Sequence, residues 1–438
     1  MNTPELHRHI PLLLLLLLPA ALLAQDTSLT LNGWVTCEGK GVPYATLQLL
    51  GTSTGVACNN SGEYELKVPP GHEQDTIVIR SIGYLQVRRT VNDLKKRGNV
   101  RLERQFIVLK EVKVSDFRTA EGLIAAAVNR IGQNYHNQTA YSTFFYRDWR
   151  ALNGELYLLD EAVMRFRREG YSQFKDKEGY TYCDCRRELE SDYKSLLKHR
   201  LVVFDRKMLE KVVHKQLGVY ERVEYADNAV FFDPVATPQA CYMLATRILG
   251  SHDFEPIFEF EADGEHYYRV RSVGPGRLSG SKVHYEYLIR KKDLAILRIT
   301  SSQEPVAQHA PQDAWANVYF TRMTMDSDTS AWTYDVRDGH YTLQHYYNNK
   351  VYRLSSKGRG HDKEVQRWQQ CVDWTLTDFT LIPPAQEGTL LDVKPLSLPT
   401  AFGKSDQITS SFWEDYNTIP IDPLPLRMLI DKLKNNKQ

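Results

Sequence analysis

The stretch Gly51–Pro70, GTSTGVACNNSGEYELKVPP, decides how the first part of the chain is read. A Gly-rich turn is followed by a short apolar piece, VAC, and then by Asn-Asn-Ser-Gly. The alternating run YELKV comes next and stops at Pro69-Pro70. Alternation with period two marks a strand, and Gly, Asn and Pro mark its ends. Asn60-Ser61-Gly62 supplies the positive-φ positions that a tight hairpin needs. A phosphate-cradling loop would need a helix behind its glycines, and here a strand follows.

Working outward, the neighbouring residues repeat the pattern. LTLNGWVTC (29–37) alternates, with Leu31, Gly33, Val35 and Cys37 on one face. GKGVP turns, YATLQLLG is a second strand, TIVIRSIGYLQVRRTV one long or two consecutive strands, and NVRLER closes the set. Many short strands with turn residues between them indicate a β-sandwich.

These residues resemble the carboxypeptidase-like regulatory domain. The matching positions are Gly33, Val35, Gly41, Pro43, Ala45, Gly51, Thr52, Gly55, Asn59, Gly62, Tyr64 and Leu66, then Ser81-Ile82-Gly83-Tyr84. The resemblance implies a transthyretin-like, seven-stranded sandwich with no catalytic role, of the kind found in exported Bacteroidota-type proteins. Two positions depart from the family: Cys37 stands where Asp is usual and Cys58 where Thr is usual. A Cys37–Cys58 disulfide is one reading, worth about 2–3 kcal/mol by loop closure. Two independent thiols are the other.

The chain has 438 residues, enough for two or three domains. Its 55 basic and 54 acidic residues balance, so no clustered basic excess points to nucleic acid. With 25 tyrosines the composition leans towards β structure. HRHIPLLLLLLLPAALLAQ, near the start, has a basic beginning, an apolar run and small residues. It reads as a secretory signal peptide, cleaved after Ala24. The run is too short to cross about 30 Å of hydrocarbon. Export would place all six cysteines in an oxidising compartment.

The domain reading is a signal peptide at 1–24, the sandwich at 25–113, a linker and helix at 114–140, and an antiparallel β-rich domain at 141–438 with a C-terminal helix after Pro425. In the helix TAEGLIAAAVNRIGQNY, Thr119 is the cap and Leu123, Ile124, Ala127, Val128 and Ile131 share a face. Gly132 is read as its stop. Hairpin turns are expected at Asn153-Gly154, Asp263-Gly264, Lys292-Asp293, Asp338-Gly339 and Asn348-Asn349. The segment 190–217 is read as partly helical. The fold class is therefore mainly β, a sandwich plus a larger antiparallel sheet, with a curved half-barrel as one form of it.

HYYRVRSV and HYEYLIRKKDLAILRITSS resemble the curved sheet of LolA-type lipid carriers. FFYRDW, LDEAV and FWEDYNTIP resemble the uncharacterised part that follows the regulatory module in many exported proteins. Neither resemblance implies an established activity. A TonB-dependent transporter is excluded by length, since a 22-stranded barrel needs far more chain.

The sharpest chemical motif is His252-x-x-Glu255, the zinc-ligand spacing of metallocarboxypeptidases, with His361 as a third ligand. Against it, the region meanders where the peptidase fold has parallel strands. His340 and His345 are an odd number apart on one strand, which puts them on opposite faces. Asp160-Glu161, adjacent on a strand, make no carboxylate dyad. GPGRLSG (274–280) precedes no helix. No catalytic, cofactor or metal residue is assigned. The expected function is a non-catalytic envelope protein in the periplasm or at the outer membrane. Its partner would be an envelope protein, a glycan or a lipid, with peripheral membrane association open. A zinc carboxypeptidase or other hydrolase, and a hydrophobic-ligand carrier, are the alternatives.

Overall fold

The computed structural model describes residues 28–52, 54–81, 83–104, 117–168, 170–171, 180–189, 233–236, 238, 243–245, 249–250, 252–262, 264–273, 283–303, 321–356, 365–383 and 416–420. The N-terminal residues read as a signal peptide, the segment 190–217, GPGRLSG, His361 and the expected C-terminal helix lie outside these residues.

The first module is a sandwich of two small sheets. One holds β1 (Leu29–Cys37), β2 (Lys40–Gly41), β5 (Glu63–Val68) and β8 (Val100–Arg101). The other runs in the order β4 (Gly55–Ala57), β3 (Thr46–Leu49), β6 (Thr76–Arg80), β7 (Val87–Thr90). Leu31, Gly33, Val35 and Cys37 are all buried, as their alternation requires. Between the sheets they meet Leu47, Leu66, Ile77 and Ile79. Gly33 has no room for a side chain, because a Cβ would lie 2.2 Å from the Gly98 carbonyl oxygen. A short helix, α1 (Val91–Lys96), follows β7 and was not legible from periodicity. It begins with a reciprocal capping box between Thr90 and Asp93.

Two expectations are corrected in this module. Asn60-Ser61-Gly62 is not a hairpin turn: β4 and β5, on either side of it, belong to different sheets. It is the corner by which the chain crosses the sandwich. Asn59 builds the corner, its Oδ1 accepting from the amides of Ser61 (3.0 Å) and Glu63 (2.9 Å). The Cys37–Cys58 bridge is also not formed. Both are free, buried thiols. Cys37 ends β1 in one sheet, and Cys58 follows β4 in the other, its amide bonded to the Ala45 carbonyl. Each packs as a small apolar side chain in the core.

The second domain is built on one antiparallel sheet of eleven strands. Its strands are β9 (Ala140–Leu152), β10 (Glu155–Arg168), β11 (Tyr180–Leu189), β12 (Asp253–Phe254), β13 (Phe258–Ala262), β14 (Glu265–Val273), β15 (Val283–Arg290), β16 (Ile296–Gln303), β17 (Thr321–Arg337), β18 (His340–Ser356) and β19 (Val365–Leu381). The spatial order is β11-β10-β9-β19-β18-β17-β16-β15-β14-β12, with β13 also on β14. The last strand thus lies beside the first, and the rest is a meander. The protein is mainly β.

Most turns fall where their residues demand. Asn153 (φ 52°) and Gly154 (φ 81°) join β9 to β10, and Asp338 (φ 47°) and Gly339 (φ 83°) join β17 to β18. Asn348-Asn349 is different: both lie inside the 17-residue strand β18. Their amides serve as cross-strand polar contacts. Asn348 Nδ2 donates to Asp328 Oδ1 and Ser330 Oγ, each at 2.8 Å, and Asn349 Oδ1 accepts from Gln369 Nε2 at 3.0 Å.

The helix α2 (Ala120–Asn129) starts where expected, with Thr119 Oγ1 accepting from the Gly122 amide at 3.1 Å. Leu123, Ile124, Ala127, Val128 and Ile131 are buried together against Phe144, Trp374, Tyr287 and Ile299 of the sheet. Burying each of the larger aliphatic side chains contributes about 1.5–3 kcal/mol. Gly132 does not stop the helix. The break comes at Arg130, and Gly132 lies within a second short turn, α3 (Ile131–Asn134).

Candidate functional site: the strip between the sandwich and the sheet

Successive residues of a strand point to opposite faces of its sheet. On β19, Val372, Trp374 and Leu376 enter the core beneath α2. Cys371, Asp373 and Thr375 therefore point the other way, towards the sandwich. The register of β18 sets Tyr347 opposite Asp373 and His345 opposite Thr375. His345 Nε2 is 2.9 Å from Asp373 Oδ1, and Thr375 Oγ1 donates to the same oxygen at 3.3 Å.

The sandwich closes over this strip. The Tyr44 ring lies 4.8 Å from that of His345 and 5.5 Å from that of Tyr347. Tyr44 has φ 56°, a conformation rare for a bulky side chain. Arg80, at the end of β6, pairs with Asp335 of β17 and also reaches Gln48 Oε1. Residues 416–420 tie the two domains from the side. The Asn417 side chain accepts from the Lys67 amide at 2.6 Å and donates to its carbonyl at 3.1 Å. It thus pairs with β5 much as a neighbouring strand would. Tyr416 OH meets Thr377 Oγ1 at 2.6 Å, and Arg147 donates to the Pro420 carbonyl at 3.5 Å.

A Cys, a His and an Asp on adjacent strands invite a nucleophilic reading, which the geometry opposes. Cys371 lies opposite Asn349, four residues from His345, or about 13 Å along the strand. Burial pushes the Cys371 thiol well up, so it stays protonated, and its side-chain partner is Tyr347. A reactive cysteine needs the opposite shift. Burial likewise raises the phenols of Tyr44 and Tyr347, which are bonded to each other. The strip is arranged to hold two surfaces together through neutral hydroxyls, tilted ring contacts and an enclosed His–Asp pair.

A second polar cluster lies in the main core. The buried Asp233 accepts from Tyr334 OH (2.8 Å) and Tyr171 OH (3.1 Å), and from the amides of Val235 and Ala236. It pins the 233–236 segment to the sheet. Tyr334 and Tyr135 have their phenols raised by burial.

Of the zinc motif, the two described residues, His252 and Glu255, do not converge. His252 is buried beside the rings of Tyr285 and Phe254, whereas Glu255 is exposed and its amide bonds to the Arg271 carbonyl. Among the described residues no group of three His, Cys, Asp or Glu is arranged to hold a metal. Asp160 and Glu161 lie within β10, as expected of a strand. Parity counting between His340 and His345 fails, because β18 carries a bulge between Leu343 and His345. Leu343 and Tyr346, three apart, consequently share one core. Tyr44 and Asp373 gave no sequence signal. Their roles depend on which strand faces which domain.

The sandwich can now be placed among known families. Residues 31–114 match the CarboxypepD_reg-like domain. The module that carries Tyr44 and Arg80 is thus the CarboxypepD_reg-like domain, and the sheet domain is what it rests on. No curated protein matches the chain. Among solved structures, a LolA superfamily protein from Nitrosomonas europaea is 11% identical, with 63% of this chain and 100% of that chain covered and a TM-score of 0.21. A DUF1329 family protein from Desulfovibrio piger is 10% identical, with 61% and 96% covered and a TM-score of 0.22. A protein of unknown function from Bacteroides fragilis is 8% identical, with 81% and 98% covered and a TM-score of 0.14. At TM-scores of 0.14 to 0.22 these likenesses carry no argument about the β-rich region.

Proposed function

We propose that the protein is a non-catalytic, exported cell-envelope protein whose role is binding or scaffolding. The observation that supports this reading is the use made of the sheet. One face carries a core filled by α2, and the His345–Asp373 strip on the other is committed to holding the CarboxypepD_reg-like domain. Polar groups that could serve chemistry are instead joined to one another, His345 to Asp373 and Cys371 to Tyr347, beside Tyr44 of the sandwich. The signal-peptide reading of the N-terminus places the mature protein in the periplasm or at the outer membrane. Its partner there is an envelope protein, a glycan or a lipid surface.

The test combines address with binding. Cells producing the full chain are fractionated, and the N-terminus of the recovered protein is sequenced. The mature chain is then sedimented with outer-membrane vesicles and, separately, with peptidoglycan sacculi. An envelope location, a start at Gln25 and co-sedimentation with one of the two are expected. A cytoplasmic protein retaining residues 1–24, or turnover of peptide substrates by zinc-loaded protein, overturns the reading.

A further inference from the structure

The two buried cores share no residue. One takes its side chains from Leu31 to Leu102, the other from Ala120 onward. Among the described residues, β4 lies against β19, and polar and ring contacts join the domains beside it. The contacts are the Arg80–Asp335 pair, the Tyr44 ring on His345 and Tyr347, and the Asn417 amide on the Lys67 backbone. Interfaces of this composition within one chain resemble those of transient complexes, and relative motion across them is the default. Separating the domains here disrupts neither core. Tyr44 adds a second, independent observation. A bulky residue at φ 56° persists only where its surroundings over-determine it, and such residues cluster at clamps and switch regions.

We infer that the CarboxypepD_reg-like domain is a latch. It undocks from the sheet as a folded unit and uncovers the strip formed by His345, Tyr347, Cys371 and Asp373. Arg80–Asp335 and Tyr44 are its catches. The inference does not depend on the proposed envelope role, since it concerns only how the two domains are held.

The strip contains its own reporter. Cys371 is buried next to Tyr347 within it, while Cys58 is buried inside the sandwich core. Undocking exposes Cys371 alone, whereas unfolding of the sandwich exposes Cys58. Full-length protein is pulsed with N-ethylmaleimide under native conditions, and both positions are followed by peptide mass spectrometry. Asp335→Ala, and the shape-preserving Asp335→Asn, are each expected to speed Cys371 modification by roughly fivefold and to leave Cys58 unchanged. Two results overturn the latch. In one, Cys371 and Cys58 accelerate together, so that the sandwich opens rather than undocks. In the other, neither variant changes the Cys371 rate.

Discussion

Tyr44 of the sandwich packs at a tilt against His345 of the sheet, with 4.8 Å between ring centroids, and His345 in turn is held by Asp373 at 2.9 Å. Residues 301 positions apart in the chain thus form one contact through which two independently packed domains meet. The following expectations rest on that contact and on the polar groups buried elsewhere.

The Tyr44–His345 pair should show measurable coupling. In a double-mutant cycle of Tyr44→Ala and His345→Ala, followed by denaturant unfolding, a coupling of about 0.5–1.5 kcal/mol is expected. Strict additivity would mean that the rings lie side by side without stabilising the interface.

Asp233 should be among the costliest carboxylates to remove. Asp233→Ala removes the carboxylate that accepts from two buried phenols and from the Val235 amide, while the Ala236 amide keeps the Asp233 backbone carbonyl. A loss of about 3–5 kcal/mol is expected in urea unfolding, and a smaller one for Asp233→Asn, which keeps one acceptor oxygen. A loss below about 1 kcal/mol would show that the network is not a pin for this segment.

Stability should fall as the solution is acidified from neutral towards pH 5. Burial lowers the pKa of His136, whose Nε2 donates to the Arg337 carbonyl, and burial also lowers that of His252. The unfolded chain then takes up protons more readily than the folded one. The stabilisation is complete above the ordinary histidine value of about 6.5 and is lost as pH drops through the lower folded values. His136→Gln should flatten the slope of unfolding free energy against pH. A protein that becomes more stable on acidification over this range contradicts the assignment.

Cys37 and Cys58 should both be alkylated in protein denatured without reductant, because the structure holds them as separate buried thiols. Recovery of a peptide pair linked through these residues would restore the bridge that the sequence permits. Reductant should accordingly leave the unfolding of the sandwich unchanged.

What could be read without a structure were features set by a few neighbouring residues. Alternation in 29–37 fixed which side chains of β1 are buried. Thr119 marked the helix start, because a hydroxyl there reaches an amide three residues on. Asn153-Gly154 and Asp338-Gly339 marked hairpins because their residues tolerate positive φ. The same local chemistry is ambiguous when two folds can use it. Asn60-Ser61-Gly62 suits a hairpin and a corner equally, and which one forms depends on the sheet that β5 joins. Asn348-Asn349 suits a turn until β17 and β19 supply cross-strand partners for its amides. The pairing of β9 with β19, the strip they help to build and the seating of Tyr44 upon it are non-local. They follow from which edges and faces remain to be covered once each element has formed, and only the tertiary structure decides that.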